Sequence, residues 1–163
     1  MKMKTVKKRS QKQEKSVAKK FGGKVTAASG ALWGMKGDVR TDKFLIECKT
    51  TEKKYYTLTA KVWEKIAEEA LKDHMRTPLM LIDLEDSERY VVFSPKDFVK
   101  TTVSPLIKAV ELQKSVKIYK GLVGDTPEYE YVYSQQFIIE GERKSILCVM
   151  LLKDFEEEFK EEL

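Results

Sequence analysis

The chain has one histidine, two cysteines, four prolines and eight glycines in 163 residues. A single histidine rules out a histidine metal cluster. It weighs against a Ser–His or Cys–His couple without excluding one. Cys48 and Cys148 sit in apolar, strand-like runs. They read as buried reduced thiols of an intracellular protein, not as a disulfide framework. No apolar run approaches the roughly 18 residues of a membrane-spanning helix, so none is expected. The opening Met1-Lys2-Met3-Lys4-Thr5 is charged but has no apolar stretch after it, so no secretory signal is expected. The length suits one domain that needs no covalent support.

Charge is abundant and unevenly placed. The whole chain carries a net +5, yet residues 1–24 hold ten Lys/Arg against one acid, for +9, which leaves 5 − 9 = −4 for the rest. Residues 154–163 hold six acids and one lysine. A basic N-terminus of this kind, with Lys7, Lys8 and Arg9 at its centre, suits a polyanion such as nucleic acid. Residues 1–9 are expected to be a flexible basic arm and residues 10–163 a single domain. Its core would span about 10–98, with a C-terminal elaboration over about 99–163.

Ser10-Gln11-Lys12-Gln13 has the form of a capping box, predicting a helix from Ser10 to about Phe21, stopped by Gly22-Gly23. Its apolar stripe is Val17, Ala18 and Phe21. Extended back by the helical spacing, the stripe reaches Glu14. An acid facing the sheet needs either a lysine partner or a cation.

Lys24-Val25-Thr26-Ala27-Ala28 reads as a first strand. Ser29-Gly30-Ala31-Leu32-Trp33-Gly34-Met35-Lys36-Gly37 then reads as a glycine-rich loop. Its N–H groups, the Ser29 hydroxyl and Lys36 would suit a phosphate backbone.

Lys36-Gly37-Asp38-Val39-Arg40 and Phe44-Leu45-Ile46-Glu47-Cys48-Lys49-Thr50 read as a hairpin joined near Asp42-Lys43. Strand alternation puts Phe44, Ile46 and Cys48 on one face and Leu45, Glu47 and Lys49 on the other. A two-residue loop predicts a register summing to 85, which sets Asp38 across from Glu47. Two carboxylates roughly 5 Å apart repel by about 3 kcal/mol at an effective dielectric of 20. Either Lys49 or a divalent cation can offset that. Hard oxygen ligands favour Mg²⁺ or Mn²⁺ over zinc. A solvated Glu/Lys pair on a surface hairpin accounts for the same spacing.

An acid at the start of one strand, followed by Glu-x-Lys on the next, resembles the PD-(D/E)XK nuclease superfamily through Asp38, Glu47 and Lys49. With Glu14 on the preceding helix and Ser29-Gly30 after the first strand, residues 10–95 resemble the archaeal-type Holliday-junction resolvases, a branch also found in phages. Gly37 stands where proline often precedes the first acid. Thr26, Ala27 and Ala28 stand where that branch commonly has a basic residue, and Lys24 would be the substitute.

The resemblance implies an α/β (α+β) fold, a mixed central sheet flanked by helices with a restriction-endonuclease-like core. It implies Mg²⁺, with Mn²⁺ as substitute, held by Asp38, Glu47 and the backbone carbonyl of Cys48, with Glu14 as a further donor. Glu14, Asp38, Glu47 and Lys49 would be catalytic. Ser29 and Gly30 would contact DNA, joined by Lys36, Lys7, Lys8, Arg9, Lys53 and Lys54. The implied function is a four-way-junction resolvase acting as a homodimer on branched DNA, with no membrane partner. Two alternatives stay open: a restriction-like or repair endonuclease on duplex, flap or single-stranded DNA, and a DNA-binding module without catalysis.

Further along, a helix is expected to run to about Asp73, with strands at 78–84 and 89–93 and a helix start at Ser94-Pro95. Beyond these, a helix is expected at about 104–114, strands near 116–120, 129–139 and 145–152, and an acidic helix from Asp154.

Overall fold

The structure, a computed structural model, describes residues 2–26, 37–85, 88–98, 112–125 and 133–163. The first helix, α1, runs Lys2–Lys20. Short strands β1 (Lys24–Val25) and β2 (Val39–Arg40) lead to β3 (Phe44–Thr50) and β4 (Tyr55–Thr59). Helix α2 (Ala60–Lys72) precedes β5 (Thr77–Asp83) and β6 (Arg89–Phe93). Then come β7 (Leu112–Gln113), β8 (Ser115–Tyr119), β9 (Ser134–Glu140), β10 (Lys144–Leu151) and α3 (Leu152–Glu158).

Among the described residues, eight strands form one sheet in the order β1-β2-β3-β5-β6-β10-β9-β7, while β4 and β8 pair as a separate ribbon. The sheet is mixed: β3–β5 and β7–β9 are parallel and its remaining pairs antiparallel. The expected mixed sheet flanked by helices is therefore present. Strand periodicity sorts its side chains into two cores. Phe44, Ile46, Cys48, Leu79, Leu81, Val91, Phe93, Cys148 and Met150 meet Val17 and Ala18 of α1 and Leu152 and Phe155 of α3. Met80, Ile82, Tyr90, Val92, Leu147, Val149 and Leu151 meet Trp63 and Ile66 of α2 and Leu58 and Ile118 of the ribbon.

Three expectations are corrected. Ser10 is not an N-cap, because α1 begins eight residues earlier and Ser10 lies inside it. The lysine-rich segment 2–9 continues the helix, which is consistent with lysine's good helix propensity. The Ser94-Pro95 start yields a single 3₁₀ turn, Pro95–Asp97. Of the helix expected at 104–114, residues 104–111 lie outside the described residues, and Leu112–Gln113 is strand.

The C-terminal region extends the sheet: β10 pairs with β6, matching Cys148 to Phe93 and Met150 to Val91. Of the strand expected at 129–139, β9 covers the later part, and residues 129–132 lie outside the described residues.

Candidate active site

The hairpin register is the expected one over two pairs, Val39↔Ile46 and Arg40↔Leu45, and Thr41 N–H donates to the Phe44 carbonyl at 3.0 Å. The expectation that Asp38 lies directly across from Glu47 is corrected. Asp38 N–H donates to the Ile46 carbonyl at 3.0 Å, the same residue that Val39 faces. Two residues opposite one make a β-bulge, which re-aims a side chain. The Asp38 carboxylate turns onto β3 and accepts the Cys48 N–H at 2.8 Å through Oδ2. Gly37 precedes the bulge with φ +73°. Proline, held near −65°, does not fit there, which explains its absence from this position.

Glu47 and Lys49 project together on the α2 side, as alternation requires, and the Lys49 ammonium donates to Glu47 Oε1 at 2.6 Å. Burial raises the Glu47 pKa and the Asp38 charge raises it further, while Lys49 lowers it only in part. For Lys49, burial favours the neutral form, but the hydrogen bond and charge of Glu47 outweigh it and raise the pKa. Lys49 therefore stays a cation well past neutral pH.

Glu14 arrives from the other side. Helix α1 packs on the face bearing Phe44, Ile46 and Cys48, opposite that of Glu47 and Lys49. Glu14 thus reaches the sheet from the face opposite the Glu47 pair. Glu14 is half-buried and accepts from the Ser10 hydroxyl at 3.0 Å. Burial raises its pKa, Ser10 lowers it, and Asp38 raises it again. Asp38, at the strand edge, is thus the acid that acts on both glutamates. Among the described residues no three His, Cys, Asp or Glu side chains gather closely enough to hold a metal ion.

Two residues at the site escaped the sequence reading. Gln13 is only 2% exposed. Its amide donates to the carbonyls of Lys49 (3.2 Å) and Leu81 (3.3 Å), and its oxygen accepts the Thr50 hydroxyl at 2.6 Å. It ties α1 to the C-terminal ends of β3 and β5. Stepping back four residues from Val17 lands on Gln13, just as stepping back from Ala18 lands on Glu14, so the signal was in the same stripe. Glu69 is the second, a buried acid of α2 whose charge further raises the Glu47 pKa. It lies three residues after the buried Ile66, on the packed face of its helix.

Lys7 and Lys8 are exposed on α1 and Arg9 is half-buried there. Lys53 and Lys54 are exposed in the connection between β3 and β4. Ser29, Gly30 and Lys36 lie outside the described residues.

No protein-family model matches the chain, and no curated protein sequence matches it. Among solved structures, a Holliday junction resolvase from Archaeoglobus fulgidus, Hjc, aligns at 13% identity over 69% of this chain and 84% of that one, with a TM-score of 0.43. So loose a superposition carries no weight for function, which has to be argued from this chain's own residues.

Proposed function

We propose that the chain is a Mg²⁺-dependent DNA endonuclease, with a four-way junction as its substrate. The observation that carries this reading is the bulge at Asp38. It holds one carboxylate against the β3 backbone, beside Glu47 and the Lys49 ammonium, with Glu14 within electrostatic reach.

The donor set suits a hard cation. Glu47 offers a carboxylate that burial and the Asp38 charge leave poorly stabilised as an anion, and Asp38 offers a second carboxylate, seated on the Cys48 N–H. In an extended strand a residue's N–H and carbonyl face the same neighbour, so the Cys48 carbonyl lies on the edge that Asp38 occupies. One or two carboxylates with a carbonyl, completed by phosphate and water, is an ordinary Mg²⁺ environment. Bound there, the ion would supply Lewis-acid stabilisation and a more acidic water.

The chain's own groups do the remainder. Lys49, kept protonated by Glu47, is suited to neutralising charge that develops on a phosphoryl oxygen, not to removing a proton. Glu14 adds negative charge on the opposite flank, where it helps attract the cation. The exposed lysines of α1 hold the phosphate backbone. The choice of a junction rests on the resemblance of Glu14, Asp38, Glu47 and Lys49, in order, to the resolvase pattern. Nicks in two opposing strands require two such sites, hence a two-fold homodimer.

The test is a nicking assay on a synthetic four-way junction, with flap and linear duplex at equal concentration. Wild type nicks the junction in Mg²⁺ and not in EDTA, and Asp38→Asn loses about 100-fold or more. A junction left intact by wild type, or normal cutting by Asp38→Asn, sinks the proposal. Equal cutting of linear duplex would replace the junction with a broader DNA substrate.

A further inference from the structure

The β4–β8 ribbon is separate from the main sheet, and among the described residues only one of its faces is packed. Its inward residues Leu58 and Ile118 are fully buried in the α2-side core, with Tyr56 and Val116 against them. Its outward face alternates accordingly: Tyr55 and Thr57 on β4, and Ser115, Lys117 and Tyr119 on β8, are exposed. The register sets Tyr55 directly across from Tyr119 and Thr57 across from Lys117. Both rings are open to solvent, Tyr55 at 38% and Tyr119 at 46%.

Two lysines stand over the Tyr55 ring. Lys117 Nζ stands 4.0 Å from the Tyr55 ring centre and Lys53 Nζ 5.9 Å from it. Segments 51–59 and 112–121 together hold Lys53, Lys54, Lys114, Lys117 and Lys120 against the single acid Glu52. All five lysines are exposed. The ribbon also lies within electrostatic reach of the candidate site. Tyr56, on its inner face, has its pKa raised by burial, lowered by the charge of Lys49 and raised by that of Glu47.

Cross-strand aromatic rings on a lysine-rich ribbon fit one kind of ligand better than others. A phosphodiester strand offers anions at regular intervals and, where unpaired, flat bases that stack on open rings. A duplex offers the phosphates but keeps its bases stacked internally.

We infer that the outer face of the β4–β8 ribbon binds an unpaired DNA strand. Tyr119 and Tyr55 serve as the stacking platform, and Lys53, Lys117 and Lys120 hold the phosphates. This rests on the nuclease reading for its choice of DNA and names where the strand leaving the site would lie.

The experiment is fluorescence anisotropy with the full chain in EDTA, where no cleavage is expected, using an oligo(dT) strand and a linear duplex across a salt series. Tyr119→Ala and the double variant Lys53→Gln/Lys117→Gln are compared with wild type. The expected result is about tenfold weaker oligo(dT) binding by Tyr119→Ala, with duplex binding unchanged. The double variant should lose about 0.7 units of log–log salt slope per phosphate contact removed. Unchanged oligo(dT) binding, or equal losses on strand and duplex, overturns the proposal.

A photocrosslink of wild-type protein to an oligonucleotide carrying 5-iododeoxyuridine needs no substitution. Adducts on Tyr55 or Tyr119 support the assignment, and adducts confined to other segments overturn it. Asp38→Asn separates the two ideas. It should bind oligo(dT) like wild type even though it does not nick, so the ribbon fails on binding and the nuclease on cleavage.

Discussion

Asp38 raises the pKa of both Glu14 and Glu47, on opposite sides of the strand edge, while its own carboxylate is held by the Cys48 N–H. A carboxyl whose folded pKa exceeds the ordinary value favours folding most when protonated. For Glu14 and Glu47 that contribution is complete below their ordinary pKa of 4.5 and is lost as pH rises through the raised folded values. Asp38→Asn removes a shared cause of both shifts, and the amide oxygen still accepts from Cys48 N–H. The variant should therefore melt about 2–4 °C above wild type at pH 7. The gain should close as pH falls toward 4, where wild type sheds the same repulsion. Thermal melts across pH 4–7 test this, and a lower melting temperature for the variant at pH 7 would contradict it. Under the proposed nuclease reading, this repulsion is the usual trade between activity and stability.

At the scale of elements, α1 meets β3 through one polar side chain within an apolar contact. Gln13 uses its donors on Lys49 and Leu81 and its acceptor on Thr50. Leucine in its place fills similar volume but leaves buried carbonyls unpaired, at about 1–3 kcal/mol. Urea unfolding of Gln13→Leu should show that loss, and stability equal to wild type would refute the tether. The Lys49 backbone is one of the tethered groups, so the nicking rate should fall as well. The other helix boundary of the site is set differently. Arg40 Nε approaches Asp73 Oδ2 at 2.8 Å, and Asp73 Oδ1 takes Arg76 at 2.8 Å, joining β2 to the end of α2. Neither Arg40 Nε nor Asp73 Oδ2 makes a well-angled hydrogen bond, so their contact is mainly electrostatic.

At the scale of the whole molecule, the two ends of the charge asymmetry meet. Lys20 of α1 pairs with Glu156 of α3 at 2.7 Å, while Lys7, Lys8, Lys12, Lys15 and Lys19 remain exposed for other anions. Beneath this pair the C-terminal helix closes the core. Phe155 is fully buried and packs edge-on to Phe93 at 5.1 Å and Phe98 at 5.5 Å. Phe155→Ala should cost about 3–5 kcal/mol, read as a lower urea midpoint with a similar slope. A loss under about 1 kcal/mol would mean that residues 144–163 are an appendage and not part of the core. The strand pairing of β10 with β6 favours the larger figure.

Strand alternation in Phe44–Thr50 was legible from residue types alone, because period-2 patterning separates the α1-side residues from Glu47 and Lys49 whatever the neighbours are. The hairpin register was legible for a similar reason, since a two-residue loop leaves little freedom. The direction of the Asp38 carboxylate was not, because a bulge depends on which carbonyl its N–H finds across the strand. Nor was the choice between Gln13 and Glu14 as the buried member of α1. Both lie one helical step behind the apolar stripe, and only the carbonyls of β3 and β5 decide which side chain is drawn inward. The acid and lysine types were therefore set by local sequence. Which of them face one another was decided by long-range contacts that no local pattern encodes.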